Sequence, residues 1–300
     1  MNHPAHPLTP PLSAHGADQG PDQGGDSRIG ALLLASGKLT AADAERVLRL
    51  QQEAGLRFGE AAVRLGLINE ADIEHVLARQ FAYPYLLRGQ HDYSPLLVAA
   101  YEPFSAQVEQ MRAVRSHLML RWFGRGHKSL VVLGVGSGDG ASLFAANLAV
   151  VFSQLGEATL LVDANLRKPR QHAVFDLAPG QGLSDLLAGR AGLDLLVARI
   201  PSLDALSVLR AGTLPPNPQE LLSRLRLGAL AAQLEERYAI VLYDTAAHAH
   251  GSDALAVAAR AGGALLVTRK DKTRLADVCG LAERIVGCGA HVVGSVVVDF

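Results

Sequence analysis

Residues 129–142 read SLVVLGVGSGDGAS: an apolar run, then Gly136, Gly138 and Gly140 alternating with small polar residues, then a hydroxyl at the start of an apolar stretch. Few architectures accept that order. An almost wholly apolar strand is buried on both faces, and a glycine turn that feeds it into a helix belongs to a parallel sheet covered by helices. The same alternation continues to the end of the chain. Strands are expected at 130–135, 158–163, 206–211, 239–244, 264–268 and 292–298. Helices are expected at 104–122, 142–154, 218–236, 253–261 and 274–286. The fold class is therefore α/β, a parallel sheet with helices on both faces, and its ligands should bind at the carboxyl ends of the strands.

Gly136, Ser137, Gly138, Asp139, Gly140, Ala141 and Ser142 form a candidate phosphate loop. Glycines let successive backbone N–H groups converge on an anion, and the helix N-terminus adds about half a positive charge. Ser142 is placed to offer its hydroxyl to Mg²⁺. Tight strand–helix turns also use glycine for steric reasons alone, so the loop is weighed with its neighbours. The strand at 158–163 ends in Asp163 and the strand at 239–244 ends in Asp244, which puts two carboxylates at the same sheet edge. Each alone reads as a cap or turn residue. Together with the loop they read as a nucleotide site that holds Mg²⁺.

Composition sets outer bounds. Of the 300 residues 49% are apolar, enough for a substantial core, and 28 Lys and Arg against 29 Asp and Glu leave a formal net charge of −1. That balance excludes a protein held on nucleic acid by bulk charge. No apolar run reaches the ~18 residues of a membrane span, and no secretion signal is expected. Cys279 and Cys288 are too few for a disulfide framework and read as small buried hydrophobes, which suits a reducing cytoplasm. His248 and His250 read as turn residues.

Residues 1–27 carry no apolar period and read as a disordered tail, with His3, His6 and His15 irregularly spaced. Residues 28–88 contain a repeat. The copies 28–51 and 57–80 align Arg28 with Arg57, Gly30 with Gly59, Gly37 with Gly66 and Gln51 with Gln80. Each copy reads as a short helix, a glycine stop and a second helix capped by Thr40 or Asn69. Residues 89–102 are expected to link this small all-helical domain to an α/β domain over 103–300.

The α/β region resembles the bacterial tyrosine kinases, P-loop proteins of capsule and exopolysaccharide clusters, and within them the soluble chain-length-determinant type. The motifs that carry the resemblance are Gly138-Asp-Gly-Ala-Ser142 for Walker A, Asp163-Ala-Asn-Leu-Arg-Lys-Pro169 for the D-x-D-x-R-x-P motif, and Asp244-Thr-Ala246 for Walker B. Residues 214–222, LPPNPQELL, are also similar to a family segment. The resemblance implies ATP and Mg²⁺ as cofactors and a membrane-bound chain-length-determinant or polysaccharide copolymerase protein as partner. It also implies a cytoplasmic location, peripheral to the inner membrane through that partner, and phosphoryl transfer to tyrosine. Asp163 would assist the nucleophile, Ser142, Asp163 and Asp244 would hold the metal, and Glu109, Arg112 and Arg115 would match the helix used for homo-oligomerisation.

The sequence also departs from the pattern. Ala141 stands where Walker A has lysine, Asn165 replaces the second aspartate of D-x-D, and Ala246 replaces a proline. The last tyrosine is Tyr243, so the terminal tyrosine cluster of such kinases is not expected. A lysine at 141 would contribute about 4 kcal/mol at ~4 Å and an effective dielectric near 20. Arg167 or Lys168 is the candidate substitute. An impaired kinase, a non-catalytic binding module and a partition-type ATPase with a deviant Walker loop all stay open.

The repeat resembles the cyclic-di-GMP-binding domain of type II secretion and pilus ATPases, through Arg28, Gly30, Gly37 and Gln51 in the first copy and Arg57, Gly59, Gly66 and Gln80 in the second. The resemblance implies cyclic-di-GMP as a regulatory ligand, with the arginines on guanine or phosphate and the glycines allowing close approach. The alternative is a helical adaptor in which the same positions shape helix pairs.

Overall fold

The computed structural model describes residues 23–70, 72, 73, 76, 86 and 89–299, with side chains from residue 29 onward. The chain divides into two compact units, 1–82 and 83–300. The expected tail lies outside the described residues as far as 22, and a helix already begins at Gln23.

In the first unit the helices Gln23–Ala35, Ala41–Ala54 and Phe58–Arg64 close around Leu33, Val47, Phe58, Ala61 and Ala62. Gly37 and Gly66 take φ of 70° and 67° and end the first helix of each copy. The starts of the second helices match as well. Thr40 Oγ1 accepts from the Asp43 N–H while the Asp43 carboxylate accepts from the Thr40 N–H, both at 3.2 Å. Asn69 and Asp72 make the same reciprocal pair at 2.9 and 3.0 Å. These two capping boxes satisfy orphan donors at equivalent points of the repeat.

The second unit is built on seven strands: β1 Ser129–Gly134, β2 Thr159–Asp163, β3 Val197–Arg199, β4 Leu206–Leu209, β5 Ile240–Asp244, β6 Gly263–Arg269 and β7 His291–Val298. Their order is β3-β4-β2-β5-β1-β6-β7. All pairings are parallel except β3 with β4, so the sheet has one antiparallel edge that the sequence reading lacked. Three residues, Val197 to Arg199, are too few to carry a readable strand period.

Both faces are covered. Leu130, Val132, Leu161 and Leu242 point into one core with Trp122, Phe144 and Phe152. Val131, Leu133, Leu160, Val162, Val241 and Tyr243 point into the other with Leu222, Leu234, Val257 and Ile285. This two-sided burial is why the five inner strands are continuously apolar, whereas the edge strands β3 and β7 are only partly buried.

Three expectations need correction. The helix over 218–236 is two helices, Pro218–Leu222 and Leu225–Arg237, because Arg224 between them is extended. Cys279 is exposed rather than buried. The supposed linker at 89–102 is part of the second core, with Tyr93, Leu97, Ala99, Ala100 and Tyr101 buried. Its polar groups are satisfied from far along the chain. Asn147 Oδ1 accepts from the Ala99 N–H at 2.9 Å, Asn147 Nδ2 donates to the Leu96 carbonyl at 3.1 Å, and Gln154 Nε2 donates to the Ala99 carbonyl at 2.7 Å. Gly89 and Pro95 suggested a linker because local composition does not reveal partners about 50 residues away.

Asn147→Ala should therefore destabilise the second unit by about 1–3 kcal/mol, since it strands a buried donor and a buried acceptor. Urea unfolding followed by tryptophan fluorescence measures this at Trp122. A midpoint unchanged from wild type would show the segment to be held by apolar packing alone.

Candidate functional site

The sheet order fixes what meets the loop after β1. That strand lies between β5 and β6, paired with both. The loop at 135–140 is therefore flanked by the end of β5, which is Asp244, and by the turn that follows β6. Gly138 and Gly140 both take φ of 80°, the left-handed backbone that a phosphate cradle requires, and the helix Ala141–Ser153 starts at once.

Asp139 is 2% exposed, and its carboxylate accepts from the Gly136 N–H at 2.6 Å. It closes the loop internally. The same oxygen accepts from Thr273 Oγ1 at 3.2 Å, and Lys272 Nζ donates to the Ser137 carbonyl at 2.8 Å. Two side chains from the turn after β6 thus hold the loop.

Asp163 and Asp244 stand opposite each other in the β2–β5 register, and both are fully buried. Their environments differ. Asp163 accepts from the backbone N–H groups of Asn165, Arg170 and Gln171 at 3.2, 3.0 and 2.9 Å. Both its oxygens serve the turn after β2, so Asp163 holds that turn in shape in addition to any role toward a nucleophile. Asp244 accepts from Gln171 Nε2 at 2.7 Å through one oxygen, while its Oδ1 is buried with no partner. The Ser142 hydroxyl lies near enough to lower its proton affinity, and the charge of Arg170 does the same.

Burial pushes Asp163 up to about 6 despite its three N–H donors. Asp244 is raised well above the carboxylate range, by burial first and by the Asp163 charge second. A buried carboxylate with an open oxygen, a hydroxyl beside it and a glycine loop above it fits Mg²⁺. That ion takes one or two protein oxygens and fills its octahedron with water and phosphate. Among the described residues no three His, Cys, Asp or Glu side chains cluster to hold a metal by themselves, so ligands from phosphate and water would be needed.

Arg167 is not available as a substitute cation. It pairs bidentately with Asp253, through Nε at 2.6 Å and an Nη at 2.9 Å. It lies in the turn after β2, the same turn from which Gln171 reaches Asp244 and the Ser142 carbonyl. Asn165 accepts from the Lys168 N–H at 3.0 Å and so shapes the same turn. A cavity of about 450 Å³ adjoins the loop, lined by Gly136, Ser137, His248, Lys272 and Arg284 among others. Burial and then the Arg284 charge hold His248 below its usual range. Gln171 and Lys272 carry no motif and were missed in the sequence; the basic run 269–274, RKDKTR, was the one visible signal.

The oligomerisation residues have intramolecular contacts. Arg112 binds Glu109 at 2.9 Å and the Pro103 carbonyl, and Arg115 binds the Val151 carbonyl at 3.0 Å. Of the candidate ligand contacts in the repeat, the Arg28 side chain and Gln80 lie outside the described residues. Gly30 and Gly59 are corrected to packing positions. An added Cβ would stand 3.2 Å from the Phe58 ring and 2.9 Å from Ile73 Cδ1, so these glycines admit neighbouring side chains rather than a ligand. Arg57 is exposed, and Gln51 is half-buried.

No family model matches the chain. Tyrosine-protein kinase YwqD of Bacillus subtilis (strain 168) is 34% identical over 200 residues, which span 67% of this chain and 84% of that protein. The chain belongs to the bacterial tyrosine-protein kinase family. The putative tyrosine-protein kinase in the cps region of Klebsiella pneumoniae is 27% identical over 258 residues, 83% of this chain, and the match spans 35% of that longer protein. The solved kinase domain of Escherichia coli tyrosine kinase ETK matches with a TM-score of 0.66 at 28% identity, over 70% of this chain and 82% of that one. The departures at Ala141, Asn165 and Ala246 are therefore departures within the family.

The carboxylate pair makes stability depend on pH. An acid raised in the folded state keeps its proton longer there, so its contribution is greatest below about pH 4 and is lost as pH climbs through about 6. Asp244→Asn stays neutral and keeps an acceptor for Gln171. It should raise the unfolding free energy relative to wild type by about 1–3 kcal/mol at about pH 7.5, seen as a higher urea midpoint, and by less at about pH 4.5. Parallel pH profiles for the two proteins would rule out a buried charge as the cause.

Proposed function

We propose that the chain binds Mg-nucleotide, ATP in its working cycle, at the loop after β1. We propose further that it acts as a tyrosine-kinase-related regulator of exopolysaccharide chain length. The observation that carries this reading is the unpartnered Oδ1 of Asp244, buried beneath a glycine loop with both cradle glycines left-handed. Leaving a buried carboxylate oxygen without a donor is costly, and a site persists with such a cost when a ligand relieves it.

Ser142 and Asp244 would hold the metal, and the loop N–H groups would hold the phosphates. When bound, Mg²⁺ supplies positive charge between the β- and γ-phosphoryl groups. Asp163 keeps the turn after β2 in shape, and Gln171 links Asp244 to the Ser142 carbonyl, at 2.7 and 3.0 Å. These two residues position the metal ligands. The lysine missing at 141 is felt most in the transition state, where charge on the transferred phosphoryl group grows, so phosphoryl transfer to tyrosine is slow.

The partner is a membrane-bound polysaccharide copolymerase, which brings the chain to the cytoplasmic face of the inner membrane. Among the described residues no helix is long and apolar enough to cross a membrane. Glu109, with its side chain 71% exposed, is the part of the Glu109–Arg112–Arg115 face left to meet a second subunit.

The first unit we read as a regulatory module for cyclic-di-GMP, supported by the duplicated capping boxes and by exposed Arg57 at a helix start. Arg57→Ala in the full chain should weaken any cyclic-di-GMP binding about 10- to 100-fold without changing nucleotide binding at the loop after β1. Absence of wild-type binding at about 100 μM ligand in calorimetry would make the unit an adaptor.

The nucleotide reading is tested by titrating the full chain with ADP, with and without Mg²⁺. Binding should need the metal, and Asp244→Ala should abolish the metal dependence. Binding of equal strength in EDTA would refute the site as drawn.

A further inference from the structure

Residues 136–142 carry one charge, the buried carboxylate of Asp139, and no cation of their own. A loop in that state is a poor host for a polyphosphate, whose charge would add to a charge already present. We propose that Lys272, from the turn after β6, supplies the cation that position 141 lacks and holds the polyphosphate of the bound nucleotide. The inference rests on the nucleotide reading above and deepens it.

Topology makes Lys272 a natural candidate. β6 is hydrogen-bonded directly to β1, so the turn that follows it opens beside the loop. Asp271 takes φ of 56° and helps reverse the chain there. Thr273 fixes the turn, with its Oγ1 accepting from the Arg269 N–H at 2.8 Å and donating to Asp139 at 3.2 Å. Lys272 Nζ then stands 2.8 Å from the Ser137 carbonyl and 3.1 Å from the point where a Cβ on Gly138 would be. The ammonium lies against the backbone of the cradle, and the missing side chain at Gly138 makes room for it. An ammonium has three protons, so it can keep the Ser137 carbonyl and still donate to an anion.

The rival cations are placed differently. Arg167 is committed to Asp253. Arg170 is near enough to lower the proton affinity of Asp244, which ties it to the carboxylate side of the site. A lysine at 141 would act from the helix after β1, whereas Lys272 acts from the opposite neighbour of the loop. The same charge is thus delivered by a different element.

The test is calorimetric titration of the full chain with MgADP. Lys272→Gln removes the charge and keeps a donor for the Ser137 carbonyl. It should weaken MgADP binding about 10- to 100-fold while leaving the melting temperature without nucleotide unchanged. Lys272→Arg should bind within about fivefold of wild type, because the charge is kept. Adding Ala141→Lys to Lys272→Gln should restore most of the affinity, whereas Ala141→Lys alone should add little. A mere tether between the two loops predicts normal affinity for Lys272→Gln, and that result overturns the proposal. So does a loss that appears in Arg170→Ala and not in Lys272→Gln. If wild type binds MgADP and Lys272→Gln binds it equally well, the nucleotide reading stands and only the role of Lys272 falls. If wild type binds no MgADP, both fall.

Discussion

The pairing of β1 on both of its edges decides what the carboxyl end of the sheet can do. β5 on one side brings Asp244, and β6 on the other brings Lys272 and Thr273. β2 is one strand further out, and its loop reaches the site through Gln171, which bridges Asp244 and the Ser142 carbonyl. Asp139 and Ser142 follow β1 itself, and Asp244, Gln171, Lys272 and Thr273 trace to these three strand ends. The carboxylates are buried because the strands that carry them are covered on both faces, and burial is what raises their proton affinity.

Much of this was legible in the sequence, and the limits have physical reasons. Six of the seven strands could be read from apolar runs: five because a parallel sheet buried on both sides writes its strands as unbroken hydrophobic stretches, and β7 because it is Val-rich although only partly buried. The loop, Ser142 and the two aspartates could be read because strand ends and glycine turns are local patterns. The helix caps at Thr40 and Asn69 could be read for the same reason, since a capping box spans four residues. What stayed hidden depends on strand order. Arg167 seemed the natural substitute for a missing lysine because it sits in a motif, yet its guanidinium is paired with Asp253. Lys272 sits in no motif and is adjacent in space.

The glycines show the same division. Gly138 and Gly140 are required for their backbone angle, which a turn pattern announces. Gly30 and Gly59 are required for room beside Phe58 and Ile73, which only the packed repeat reveals. In the sequence the two kinds look alike, and a resemblance to a ligand-binding repeat turns the second kind into apparent contact residues. Asp163 posed a similar ambiguity. A strand-end aspartate beside a phosphate loop is equally a turn cap, and three backbone donors show Asp163 acting as one.

The segment before the first long helix of the sheet unit has a consequence for where that unit begins. Asn147 lies in the helix that starts at the glycine loop and Gln154 caps its end, and their amides are completed by Leu96 and Ala99. Arg115 grips the same helix at Val151. The helix under the loop is thus clasped by chain that precedes the first strand by about 30 residues. A fragment cut at the apparent motif boundary near residue 103 would expose the apolar side of this helix and leave two of its amides facing an emptied groove. The smallest autonomous piece is set by where polar groups find their partners, which is upstream of where the recognisable motifs begin.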